Sequence, residues 1–262
     1  MSAPLTLVLT RPRRQAGEWL ARLSALGVAA QSLPLIEIVP GAQQAADGAW
    51  AQLPGAALAM FVSPNAVEHF FAARSGAWPA QTLAACVGPG SARALLDAGV
   101  PADLIVQPPA DAQSLDSEHL WPLLAGRDWS GKLALILRGD GGRDWLAERL
   151  RERGARTLDF SVYQRRCPVL DDDGQALLAA ILSAPERNVW LFSSAEAIGH
   201  LQSLAPAGTG WASGRCIATH ARIAERARAV GVGNVVLARP DAAAVVQALR
   251  AMQDGNLQSF SL

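Results

Sequence analysis

Short apolar runs recur along the chain, separated by segments in which apolar residues return every three or four positions. The runs in the first half are Leu5–Thr10, Leu33–Ile38, Leu58–Val62, Leu83–Val87 and Leu104–Val106, and a matching set follows in the second half. Apolar runs of this length predict buried strands, and the 3.6-residue period between them predicts amphipathic helices. Strands that alternate with helices build parallel sheets covered on both faces. Five strands per half predict an α/β protein of two similar flavodoxin-like, doubly wound domains.

The pattern repeats with little drift. Residues 7–36, LVLTRPRRQAGEWLARLSALGVAAQSLPLI, align without a gap on residues 134–163, ALILRGDGGRDWLAERLRERGARTLDFSVY, at a shift of 127. Arg11 falls on Arg138, Leu23 on Leu150, Gly27 on Gly154 and Leu33 on Phe160. Further on, FVSPNAVEHF (61–70) matches FSSAEAIGHL (192–201) at a shift of 131. The simplest account is a duplication, with one strand–turn–helix–strand plan used twice.

Composition narrows the classes. Half of the residues are hydrophobic and 18% are charged, enough to bury real cores. Lys plus Arg and Asp plus Glu both number 23, so the formal net charge is zero, against the basic excess expected of a duplex nucleic-acid binder. Cys86, Cys167 and Cys216 stand alone, which argues against a disulfide framework or a zinc site. No apolar run approaches the roughly 20 residues that span a bilayer. Residues 1–10 lack the basic and apolar regions of a signal peptide, so the expectation is a cytoplasmic protein with no membrane partner. The segment after Met252 has no periodicity and is expected to be a mobile tail.

In doubly wound sheets, ligands bind beyond the carboxyl ends of the strands. That points to the turns TRPRR (10–14), SPN (63–65), GPGS (88–91), RGDGG (138–142), SSAE (193–196) and ATHA (218–221). Each feeds a helix start, where unpaired amides and the positive end of the dipole favour anions. Two such sets, one per domain, predict a site in the cleft between the domains. The candidate binding residues are Thr10, Arg11, Ser63, Pro64, Asn65, Gly88, Gly90, Ser91, Arg138, Gly139, Ser193, Ser194, Thr219 and His220. Taken singly, each Ser, Thr or Asn reads as an ordinary helix cap. No Walker A loop or complete G-x-G-x-x-G exists, and Ser193–Ser194 lacks the G-x-S-x-G elbow. His69 and His200 are repeat equivalents inside helices and read as structural, whereas His220 lies in a turn. Tyr163 is the one tyrosine of the chain; it follows an alternating strand, Leu158 to Val162, and precedes QRRCP, which reads as a connector.

In this order the motifs resemble the uroporphyrinogen-III synthase family over nearly the whole chain. The resemblance is carried by Thr10-Arg11-Pro12, Leu35-Ile36-Glu37-Ile38, Phe61 to Val67, Val87-Gly88-Pro89, Arg138 to Arg143, Val162-Tyr163 and Phe192-Ser193-Ser194. It implies two interleaved domains: residues 1–36 with 168–262, and 41–162, joined by the connectors 37–40 and 163–167. It implies a monomeric lyase that needs no metal and no cofactor. The implied substrate is hydroxymethylbilane, a linear tetrapyrrole with eight carboxylates, closed to uroporphyrinogen III with inversion of ring D through a spiro intermediate. A family tyrosine matched by Tyr163 is implied to assist departure of the hydroxyl. Val62 stands where the family often has Thr, and Ala218-Thr219-His220 also departs from its usual turn. The competing reading is a non-enzymatic two-domain module that binds or senses a small anion.

Overall fold

The computed structural model describes residues 4–73, 76–109, 114, 116–141 and 143–254. Most of the expected tail, 255–262, therefore lies outside the described residues, as does Gly142 of the fourth turn. The strands are β1 Thr6–Leu9, β2 Ala30–Ser32, β3 Glu37–Pro40, β4 Leu58–Phe61, β5 Leu83–Cys86, β6 Ile105–Val106, β7 Leu133–Gly139, β8 Arg156–Arg166, β9 Asn188–Phe192, β10 Arg215–Ala218 and β11 Asn234–Leu237. The helices are α1 Arg13–Ala25, α2 Gln43–Gln52, α3 Pro64–Ala73, α4 Pro89–Asp97, α5 Ser117–Leu124, α6 Trp145–Glu152, α7 Asp172–Ser183, α8 Ala195–Leu204, α9 Ala221–Ala229 and α10 Ala242–Gln253.

The chain divides into two compact units, Met1–Glu37 with Arg166–Leu262, and Ile38–Arg165. The first unit has a five-stranded sheet in the order β2-β1-β9-β10-β11. Read in sequence within that unit, this is 2-1-3-4-5, the flavodoxin order. The second unit has the order β3-β8-β7-β4-β5-β6. Its five shared strands occupy the same spatial sequence, with β8 and β7 in the places of β2 and β1. The second unit is thus a circular permutation of the first. β3 aside, each half of the sequence gives two strands to one sheet and three to the other. The α/β fold class with two parallel sheets is as the apolar pattern predicts.

One expected strand is split. The run Leu33–Ile38 is not a single element: β2 ends at Ser32 and β3 begins at Glu37. Pro34 has no N–H to offer a neighbour. The carbonyls of Leu9 and Thr10 still accept from the amides of Leu33 and Leu35. Leu33, Leu35 and Ile36 are buried, so the run is apolar because it is core, not because it is one strand.

The helices form for visible reasons. Ala16, Trp19 and Leu23 of α1 share one face and bury it. Gly27 and Gly154, equivalent in the repeat, end α1 and α6 with φ of 73° and 85°. Only glycine takes that left-handed conformation without cost. In the first unit α1 and α10 pack on the side of Leu7, Leu9, Val189 and Leu191. In the second, α2, α3 and α4 cover the face of Ala59, Phe61, Leu135 and Leu137. There α5 and α6 cover that of Met60, Ala134 and Ile136.

Candidate functional site

In the second unit the chain leaves β4 toward β5 through α3 and leaves β7 toward β8 through α6, on the opposite face. The strand order reverses between β4 and β7, the place where doubly wound sheets bind ligands. A concavity opens there, lined by Met60, Val62, Val87, Asp116, Ser117, Arg138, Gly141 and Arg143. Its charges are already paired. Arg138 is bound by Asp144 and by Asp159 at 3.1 Å, and its Nε donates to the Gly141 carbonyl at 3.3 Å. Burial disfavours its charge, but the two carboxylates outweigh burial and hold it firmly protonated. Arg143 meets Glu118 through two contacts of 2.6 and 3.3 Å. Asp116 caps α5 by accepting from the His119 amide at 2.9 Å. Burial acts to raise its carboxyl, yet hydrogen bonds from Ser114 and His119 bring it down to about 2.

Tyr163 lies on the other face of the same sheet edge, 1% exposed. The ladder between β7 and β8 slips there, pairing Arg138 with Ser161 and Gly139 with Tyr163, so Val162 is an extra residue. This β-bulge reverses the alternation of the strand. Val162 and Tyr163 are consequently both buried in the core that also takes Leu158 and Phe160. Two glycines make room. A Cβ on Gly139 would lie 2.7 Å from the Tyr163 ring, and one on Gly41 would collide with the Ser161 carbonyl. The ring stacks on His69 at 6.0 Å. Ser63 Oγ–H donates to the phenol oxygen at 3.1 Å and accepts from the Ala66 amide at 3.3 Å.

The turn residues divide into groups. Ser63, Ser194 and His220 cap α3, α8 and α9, receiving the amides of Ala66, Glu196 and Arg222. Thr10 is buried and its hydroxyl donates to the Leu191 carbonyl at 2.7 Å. The Thr219 amide is taken by the Phe192 carbonyl at 3.1 Å. Ser91 is buried in the first turn of α4, and its amide bonds Gly88. By contrast α1 and α4 begin at Pro12 and Gly88 with no side-chain cap. Pro64, Asn65 and Ser193 are half-buried at their helix starts, and Gly90 is exposed. Added atoms on Gly90 would meet only Pro64 at 3.5 Å, an ordinary contact. Structure thus joins Ser63, Gly139 and Tyr163, and sets Arg138 apart on the opposite face.

Sequence reasoning missed Arg143, Asp116, Glu118 and Asp159 as parts of this edge. The signal is present in Arg138 to Arg143, but the switch point can be found only once the strand order is known. Among the described residues, no group of three His, Cys, Asp or Glu is placed to hold a metal, and no helix is long and apolar enough to cross a membrane.

Fold and turns together define a two-unit, doubly wound α/β protein with helix starts at the carboxyl edge of each sheet. The sequence profile of a family described as Uroporphyrinogen-III synthase HemD matches residues 17–247. The chain belongs to the uroporphyrinogen-III synthase family. It is 34% identical over 178 residues to the uroporphyrinogen-III synthase of Salmonella typhimurium, covering 66% of this chain and 70% of that one. It is 32% identical over 207 residues to that of Escherichia coli, covering 77% and 80%. Among solved structures it resembles a uroporphyrinogen-III synthetase of Helicobacter pylori, with TM-score 0.62, 14% identity and coverage of 95% and 99%. It also resembles a mutant uroporphyrinogen III synthase of Thermus thermophilus, with TM-score 0.59, 21% identity and the same coverage. At these identities the two structures speak for the fold.

Proposed function

We propose that this chain closes hydroxymethylbilane to uroporphyrinogen III, losing water and inverting ring D through a spiro intermediate. The observation that carries the reading is the family match, which spans strands of both units. The linear substrate is reactive and closes by itself to the uninverted isomer, so the enzyme's task is chiefly positioning. Helix starts suit that task, because they hold carboxylates through amides without a large net charge. In this reading the turns at 10–14, 63–65, 88–91 and 193–196 bind carboxylates, mainly through backbone donors.

Tyr163 is the proposed acid. Ser63 commits its own hydrogen to the phenol oxygen, so the phenol hydrogen is left to be given to another acceptor. A departing hydroxyl is such an acceptor, and the pyrrole nitrogen that expels it makes strong acid assistance unnecessary. The reading includes a cytoplasmic monomer working without metal or organic cofactor. The test is to supply freshly generated hydroxymethylbilane to metal-free protein and separate the product isomers. The type III isomer is expected; type I at the spontaneous rate removes the assignment.

A further inference from the structure

Arg11 and Arg138 hold the same position of the repeat, two residues past equivalent points of β1 and β7. Their surroundings differ. Register in the second unit sets Asp159 beside Ile136, and this carboxylate holds Arg138. Register in the first unit sets Ser32 beside Leu9, the equivalent place. The second carboxylate, Asp144, corresponds to Gly17 in the sequence repeat. Both acids are therefore missing around Arg11.

Nothing among the described residues replaces them. The Arg11 Nε is buried and without a hydrogen-bond partner. Its guanidinium lies 4.3 Å from the centre of the Trp19 ring. Burial works against its charge. A desolvated donor left unpaired is costly, and an incoming acceptor recovers that cost. The adjoining helix start points the same way. Neither helix has a side-chain cap, but α1 has no acidic residue in its first turn, whereas α6 follows Asp144 and carries Glu148. Arg13 adds a further cation in the first turn of α1.

We infer that Arg11 is a carboxylate receptor: its guanidinium takes from the ligand the acid that Asp159 supplies to Arg138, with the start of α1 adding favourable potential. This rests on the reading in which the ligand is the octacarboxylate tetrapyrrole. The stacking on Trp19 holds the fork flat and limits the freedom lost on binding.

Binding can be measured apart from turnover with uroporphyrin III, the oxidised macrocycle, which keeps all eight carboxylates and quenches tryptophan emission. Arg11→Met preserves the stem on Trp19 and removes the charge; its dissociation constant should rise by about tenfold to a hundredfold. Ser32→Asp keeps Arg11 but gives it the acid that Arg138 has, and should also weaken binding. A folded Arg11→Met protein that binds uroporphyrin III as the parent does overturns the inference. Should Arg11→Met not fold, an unchanged dissociation constant in Ser32→Asp does the same. Isomer analysis of the parent separates the two questions. Type I product together with weakened Arg11→Met binding would remove the activity and keep the receptor; type III product with unchanged binding would do the reverse.

Discussion

The two copies of the repeat part company at their second strand. In the first unit, β2 is three residues long and lies at the sheet edge; in the second, β8 runs for eleven and carries β3 beyond it. Pro34 aligns with Ser161, and Ile36 with Tyr163. At an edge, a proline costs no ladder bond and blocks further pairing. In the second unit the same stretch accepts another segment, as the Gly41 amide bonds the Val162 carbonyl at 2.9 Å. The two scaffolds share one plan, yet the first has a short edge strand where the second has a bulged strand bearing a hydroxyl. On the proposed role of Tyr163, the acid belongs to the copy whose regularity is broken.

That contrast can be broken most severely at Gly139. Gly139→Ala drives a methyl into the Tyr163 ring, and we expect a loss of about 1–3 kcal/mol in stability. Catalysis should fall further than the loss of folded protein explains. Thermal unfolding with isomer-resolved kinetics measures both, and a stable, fully active variant would refute the packing account of the bulge.

Tyr163→Phe asks whether the hydroxyl matters once the ring is in place. In effect it gives the second copy the apolar character of Ile36. The expected result is a fall in kcat of about a hundredfold or less, with type III product retained because inversion depends on positioning. Stability should change by about 1 kcal/mol, the worth of the bond with Ser63. Wild-type kcat in the folded variant would take Tyr163 out of the mechanism.

Much of the scaffold was legible in the sequence because its cause is local. Leu7, Leu9, Ala134 and Ile136 announce buried strands, and Gly27 and Gly154 mark helix ends. The exchange of strands between halves was not derivable from periodicity, since it depends on β1 pairing with β9 some 180 residues away; only the family resemblance suggested it. Ser63, Ser194 and His220 show the limit for sites. A cap and a ligand donor use the same residue types at the same place, and geometry alone separates them. The bulge at Val162 was hidden because Gly139 and Gly41 act on it from other elements.

Pro34→Ser copies the second unit into the first and should do little. Relaxing the unfolded chain costs about 0.4–1 kcal/mol, and product identity should not change; denaturant titration reads the difference, and a large loss would mean that Pro34 does more than end the edge. Smallest of all is the effect at Asp116. Its folded pKa of about 2 lies below the ordinary 3.8. The stability it adds is therefore present above pH 3.8 and lost as the pH falls toward 2. The gap between the parent and Asp116→Asn should close across that window in acid titrations followed by circular dichroism. A gap that persists at pH 2 would contradict the carboxylate's role.

The reciprocal exchange of strands also sets an order of completion during synthesis. Ile38–Arg165 is continuous and holds every strand of its sheet, so it can close as soon as β8 has left the ribosome. The first 37 residues cannot. β1 lies in the interior of a sheet whose other central strand, β9, is made last but two. β1 thus emerges well before the strand that covers it, and its apolar run Leu5, Leu7, Val8 and Leu9 has to wait for that partner. Such long waits slow folding and expose the chain to aggregation. By this topology the apolar face of β1 stays uncovered until β9 has been made.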